Sequence, residues 1–251
     1  MTDFSVDKLT LEARGKPLVK AASFGLSRGE LVAVIGPNGS GKTSLLRGSL
    51  GLSPMASGSA MLGGEDIRAL DPMERARQIA YLPQTRPLAW PSRVRDVVAL
   101  GRFSHGAAPG RLKGADAKAV DHALAACDLT GFADRATDTL SGGELARVHF
   151  ARAFSAEARL LVADEPVAAL DPRHQFRILD LVASFVQEGG GALVVLHDLN
   201  LAARYASRLI WMMDGEILSD GPPGETLTSQ RVEAVFGLRA QITGDGVLLK
   251  P

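Results

Sequence analysis

Residues 31–44 read Leu-Val-Ala-Val-Ile-Gly-Pro-Asn-Gly-Ser-Gly-Lys-Thr-Ser. The apolar, β-branched run 31–35 fits a strand buried on both faces, and Leu45 and Leu46 open an apolar helical pattern. Between them, Gly36-Pro37-Asn38-Gly39-Ser40-Gly41-Lys42-Thr43-Ser44 carries the glycines a backbone needs to curl until successive N–H groups point at one anion. The helix that follows adds its positive N-terminal end. Lys42 then reaches the β- and γ-phosphates of a nucleotide, and Thr43 offers its hydroxyl to Mg2+. Strand, phosphate-cradling loop and helix in this order call for an α/β architecture with the loop at its centre.

The remaining pattern agrees. Strand character returns at 160–163 and 193–196, separated by a helix with Ile178, Leu181, Val182 and Phe185 on one face, and β-α-β order predicts a parallel sheet covered by helices. Ahead of the loop strand, residues 4–28 alternate apolar and polar around a Gly15-Lys16-Pro17 turn signal, which predicts a small antiparallel sheet. Residues 53–64 are rich in Gly, Ser and Pro. Asp71 as N-cap and Pro72 at the first helical position start a helix running toward Ala80, followed by an extended 81–84. Over 85–139 no buried-strand run occurs, and helical stretches at 94–103 and 115–129 are joined by a Gly/Pro loop at 106–114. This predicts a helical lobe inserted into a core built from 1–84 and 140–251. Residues 209–213, Asp214-Gly215 and 216–218 form a hairpin signature, and the tail holds a helix at 229–236 and a strand at 247–250.

Lys plus Arg equals Asp plus Glu at 28 each over 251 residues, so the summed field offers no general attraction to a phosphate backbone and nucleic acid is excluded as the main partner. The one cysteine, Cys127, sits in an apolar helical pattern; it rules out a disulfide within the chain and reads as a core residue in a reducing compartment. Charges in the first eight residues argue against an export signal. Apolar runs of about five residues fall far short of the roughly 20 needed to span a bilayer, so a soluble protein is expected, with any membrane role exercised through partners.

Other residues suit the same chemistry. Asp164 and Glu165 follow strand 160–163, at the edge where ligands of open α/β sheets bind. Asp164 is placed to hold Mg2+ through water, and Glu165 to orient and polarise an attacking water. Gln84 offers an amide oxygen to the metal or a contact to the water, and His197, after strand 192–196, an imidazole to the γ-phosphate. Ser141-Gly142-Gly143-Glu144 opens a helix with Ser141 as N-cap and two glycines that let an anion approach the backbone, a second phosphate-reading helix start. His105, His122, His149 and His174 lack metal-ligand spacing and read as structural or surface residues.

The loop 36–43, Gln84, the run 140–144, Asp164-Glu165, Ala169-Leu170-Asp171 and His197 occur in the order and spacing of ABC transporter ATPase subunits, a resemblance that covers nearly the whole chain. It implies a P-loop NTPase (RecA-like) core with an N-terminal antiparallel β subdomain and an inserted helical subdomain, hydrolysing ATP with Mg2+ held by Thr43, Gln84 and Asp164. It also implies two copies facing head to tail, with Ser141 and Gly143 gripping the γ-phosphate bound by the other copy and Asp171 along the dimer seam. Residues 91–102 and 227–237 look like the importer ATPases that serve ferric siderophores, haem and cobalamin. That likeness implies separate transmembrane permease subunits, indirectly a substrate-binding protein, and a peripheral location at the cytoplasmic face of the inner membrane. The segment 85–95, with Leu88 and Trp90, is then a candidate groove for a permease helix, the alternative being local packing of Trp90 into the helical lobe.

The chain departs from the family pattern in places. Where the family stacks adenine on an aromatic ring, Ala13 or Arg14 stands, and Arg14 offers only its guanidinium plane. Val167-Ala168-Ala169 replaces a more usual Thr/Ser-containing stretch and lacks its hydroxyl contact. Two other functions compete. A soluble non-transport regulator with the same ATP clamp would usually carry two clamps, coiled-coil insertions or basic arms; a small-molecule kinase would leave 140–144 unexplained.

Overall fold

The computed structural model describes residues 3–84, 86, 88, 90–107, 110–168, 170–243 and 246–250. In chain order its elements are β1 (Phe4–Ala13), β2 (Lys16–Leu26), β3 (Leu31–Ile35), α1 (Lys42–Ser49), β4 (Ser57–Leu62), β5 (Glu65–Asp66), α2 (Pro72–Gln78) and β6 (Ile79–Leu82). Then come α3 (Val94–Ala99), α4 (Gly114–Ala126), α5 (Gly142–Ser155), β7 (Leu160–Ala163), α6 (Pro172–Gln187), β8 (Gly191–Val195) and α7 (Leu199–Tyr205). Strands β9 (Arg208–Met213) and β10 (Glu216–Gly221), helices α8 (Pro223–Thr226) and α9 (Ser229–Phe236), and strands β11 (Arg239–Thr243) and β12 (Gly246–Lys250) complete the chain. Two compact units result, Met1–Leu70 with Gly191–Pro251, and Asp71–Gly190. Among the described residues no helix is long and apolar enough to cross a membrane.

In the first unit, β3 is buried at all five positions and pairs in parallel with β8 on one side and β9 on the other. Such a strand has no solvent face, which is why it reads as an unbroken apolar run. Antiparallel β10 follows β9 through Asp214 and Gly215, whose φ values of 49° and 82° make the tight turn that Asp-Gly favours. A separate antiparallel sheet, in the order β2-β1-β4-β5, packs Phe4 edge-on to Phe24 with 6.2 Å between ring centroids. Its β1–β2 turn is Arg14-Gly15, with Lys16 and Pro17 already in β2, one step earlier than the expected turn. The Gly/Ser-rich stretch contributes β4, whose inward residues Ala60 and Leu62 are buried. Near the C-terminus β12 pairs with β11, which the sequence pattern did not reveal, and Asn200 on α7 ties the hairpin down by accepting from Val247 N at 2.6 Å and donating to its carbonyl.

In the second unit β6 and β7 run parallel, and α3 and α4 pack on α5. Asp71 caps α2 by accepting from Met73 N and Glu74 N, but the helix stops at Gln78 and does not run toward Ala80. Ile79 turns to φ −128° and its buried side chain enters β6, so burial in the strand overrides the helical continuation. The expected helix 94–103 is α3 followed by 3₁₀ turns over Leu100–His105. Two arginines knit the helices together. Arg102, 4% exposed, bonds Asp116, Glu157 and the Ser155 carbonyl, while Arg147 donates to the carbonyls of Cys127 and Asp128. Cys127 is buried, as its apolar setting led one to expect, and burial pushes its thiol up to about 12.

His149 on α5 is 3% exposed, and its Nδ1 has no hydrogen-bond partner among the described residues. Burial, with Arg152 and then Arg86 nearby, lowers its pKa from the ordinary 6.5 to about 4. The unfolded chain therefore binds a proton below about pH 6.5 that the folded chain refuses, and the stability present above that pH is lost as pH falls toward the folded value. Between about pH 7 and pH 5 the loss amounts to about 2 kcal/mol. Urea titrations of His149→Leu should show that part of the acid destabilisation removed, whatever the substitution does to stability at neutral pH; an unchanged acid limb would contradict the assignment. Cys127 should resist alkylation in the folded protein at neutral pH and react on unfolding, read by mass spectrometry.

Candidate functional site

The loop 36–41 leaves the C-terminal end of β3 and is held from beneath by backbone. A Cβ at Gly36 would lie 2.2 Å from the Met212 carbonyl oxygen, and one at Gly41 2.4 Å from that of Leu18. Both positions therefore exclude a side chain, and Gly39 and Gly41 also adopt left-handed φ values of 82° and 97°. Gly215 N donates to the Ser40 carbonyl, so the β9–β10 turn braces the loop. Lys42, 5% exposed, curls back and donates from Nζ to the carbonyls of Gly36 and Pro37, both at 2.8 Å. The N-cap of α1 is Gly41, which supplies no side-chain oxygen, and the buried Ser40 Oγ finds no hydrogen-bond partner among the described residues. First-turn N–H groups, a buried ammonium and a spare hydroxyl on one loop make a cradle for an anion.

Thr43 and Ser44 follow Lys42 in the first turn of α1, with Thr43 exposed. His197 follows β8, the strand paired with β3, so it leaves the same edge as the loop; the next residue, Asp198, caps α7 by accepting from Asn200 N and Leu201 N. Arg14 is the first residue of the β1–β2 turn, exposed, at φ 51°.

The second unit repeats the arrangement at the C-terminal ends of β6 and β7. Asp164, 1% exposed, donates its N–H to the Leu82 carbonyl at 2.9 Å. Glu165 sits at φ 48°, a left-handed conformation unusual for a residue with a Cβ. Gln84 Nε2 donates to Glu165 Oε2 at 2.6 Å, so the amide and the second carboxylate meet directly. Ser141 caps α5 in a reciprocal box: its Oγ accepts from Glu144 N at 3.3 Å and its own N–H donates to Glu144 Oε2 at 2.7 Å. That backbone donation is the first cause holding the Glu144 carboxyl below the usual range. Glu144 thus faces the cap, while Gly142 and Gly143 open the first turn.

Asp171 caps α6, accepting from His174 N at 3.0 Å and from His174 Nδ1 at 2.8 Å; these bonds hold its carboxyl below the usual range. The expectation for Ala169 lies outside the described residues, as do Thr85, Pro87 and Ala89 of the proposed groove. Trp90 is 71% exposed, so it does not pack into the helical lobe. His174, expected from the sequence to be a structural or surface residue, has its ring against Gly143; its place three residues after the capping Asp171, the i, i+3 spacing of neighbours on a helix, accounts for its contact with that carboxylate.

The family model described as ABC transporter matches residues 19–168. A "Hemin import ATP-binding protein HmuV" of Rhizobium meliloti is 37% identical over 246 residues, covering 94% of this chain and 91% of that protein. A "Cobalamin import ATP-binding protein BtuD" of Halobacterium salinarum is also 37% identical, over 96% of this chain and 60% of its own length. Among solved structures, an inward-facing "putative metal-chelate type ABC transporter" superposes with a TM-score of 0.83 at 25% identity, over 99% of this chain and 96% of that one. Sequence order and fold coincide with these proteins, and the chain belongs to the ABC transporter family, as an ATP-binding subunit.

Proposed function

We propose that this subunit hydrolyses ATP to energise uptake of a metal chelate or corrin, with haem, ferric siderophores and cobalamin as the cargo class. The names of its relatives and its likeness to a metal-chelate transporter support that class. Two copies work head to tail with separate permease subunits, and indirectly with a substrate-binding protein, at the cytoplasmic face of the inner membrane. Residues 85–139, which include α3 and α4, form the inserted helical lobe between 1–84 and 140–251, and Leu88 with the exposed Trp90 serves the permease contact.

The observation that carries the mechanism is the Gln84–Glu165 hydrogen bond beside a strained backbone at Glu165. Such strain persists only where surrounding structure imposes it, and it aims one carboxylate. Glu165 orients the attacking water and takes its proton; Lys42 and the N–H groups of the 36–44 loop neutralise charge on the phosphate oxygens. His197 touches the γ-phosphate, Arg14 lies under the adenine, and Ser141 to Gly143 of the second copy close on the γ-phosphate, with Asp171 at the seam.

Thr43, Gln84 and Asp164 offer a hydroxyl, an amide oxygen and a carboxylate, a donor set that suits a hard cation keeping part of its hydration shell. Among the described residues no group of three or more His, Cys, Asp and Glu is placed to hold a metal ion. Held by these residues, Mg2+ would supply positive charge that offsets the charge developing on the phosphate.

Lys42→Ala should weaken ATP binding by about a hundredfold in a fluorescence titration, since a buried charged donor is lost; unchanged affinity would refute the loop assignment. Glu165→Gln should keep ATP affinity, lose about 10²-fold or more in turnover, and accumulate closed dimers with ATP on size exclusion. A monomer that still turns over would remove Glu165 from the role of base.

A further inference from the structure

His174 stands at the third position of α6 and touches both of the segments flanking it in function. Its Nδ1 lies 2.8 Å from Asp171 Oδ2, and its backbone N–H donates to Asp171 Oδ1 at 3.0 Å, so the cap residue holds His174 by one bond to the ring and one to the backbone. The other edge of the ring fills the space above Gly143. A Cβ built there would be 2.3 Å from His174 Cδ2 and 2.6 Å from its Cγ and Nε2. Gly143 has no left-handed φ to demand a glycine, so its own backbone would tolerate a side chain and the ring is the obstacle. Gly143 therefore lacks a side chain for a steric reason that begins at residue 171.

We propose that His174 is a positioning residue: clamped by Asp171, its imidazole holds the first turn of α5 in the orientation that presents the Ser141–Gly143 backbone to phosphate. The reading rests on the proposed role of that turn, and it joins the seam residue Asp171 to the phosphate-facing glycine through one ring. A shift of the Asp171 loop would carry the ring with it, and the first turn of α5 would lose its lateral support. Within a chain, the state of the dimer seam thus bears on the segment offered to the other copy's nucleotide.

Two measurements on the full-length protein test this. Hydrogen exchange at the amides of Glu144 and Leu145 needs neither ATP nor a second copy. His174→Ala should accelerate it about tenfold, and His174→Asn, whose amide can still donate to Asp171, should restore much of the protection. Adding Gly143→Ala to His174→Ala should accelerate it little further, because the obstacle is already gone. In steady-state assays His174→Ala should lower kcat about tenfold while the ATP affinity of the 36–44 loop stays unchanged, with partial recovery in His174→Asn. Unaltered exchange in His174→Ala, or altered exchange with an unaltered kcat, would overturn the proposal. Failure of Glu165→Gln to dimerise with ATP would instead overturn the two-copy reading, and the exchange data would still decide whether the ring holds the turn.

Discussion

The structure is organised around the close approach of backbone to backbone beneath residues 36–41. The Met212 and Leu18 carbonyls sit where side chains at Gly36 and Gly41 would have to be, and the Asp214-Gly215 turn hydrogen-bonds the loop at Ser40. A loop of bare peptide is floppy by itself, and glycine loses more freedom on ordering than any other residue. Contact from two neighbouring strands replaces the missing side chains as the source of rigidity. The buried core of β3, β8 and β9 fixes where β9 runs, and pairing with β1 fixes β2, so the geometry of an anion cradle follows from packing and pairing several residues away.

Both units use one device. A parallel strand pair ends, and the residues just beyond its carboxyl end carry the polar groups: Gly36 to Thr43 and His197 in one unit, Gln84 and Asp164-Glu165 in the other. Strands β3, β7 and β8 are buried and apolar throughout, so the change from hydrophobe to polar residue marks the site in both units. In the second unit the first turn of α5 receives a different support. Arg147, further along that helix, is pinned by the carbonyls that end α4, while the cap itself is closed by the Ser141–Glu144 exchange of hydrogen bonds.

Much of this was legible beforehand because the informative residues are short-range. β3, β7 and α9 begin and end where periodicity and flanking residues put them, and the caps Asp71, Ser141 and the Asp214-Gly215 turn act through neighbours two or three positions away. What escaped depends on contacts distant in sequence. β4 opens on Ser-Gly-Ser, carries no β-branched residue and becomes a strand because β1 offers it a partner; β11 has only one β-branched apolar residue, Ile242, and pairs with β12. The end of α2 was misjudged because Ile79 fits either pattern until β7 lies beside it. The ring of His174 against Gly143 joins positions 31 residues apart in the chain, beyond the reach of any local rule.

Glu165 holds a left-handed backbone that an ordinary residue with a Cβ adopts only under constraint. Glycine would relax there at little cost, and asparagine would tolerate it, so with the proposed role of Glu165 as base, heat tolerance and throughput pull in opposite directions at this position. Consensus or laboratory selection on thermal robustness alone would drift away from the carboxylate.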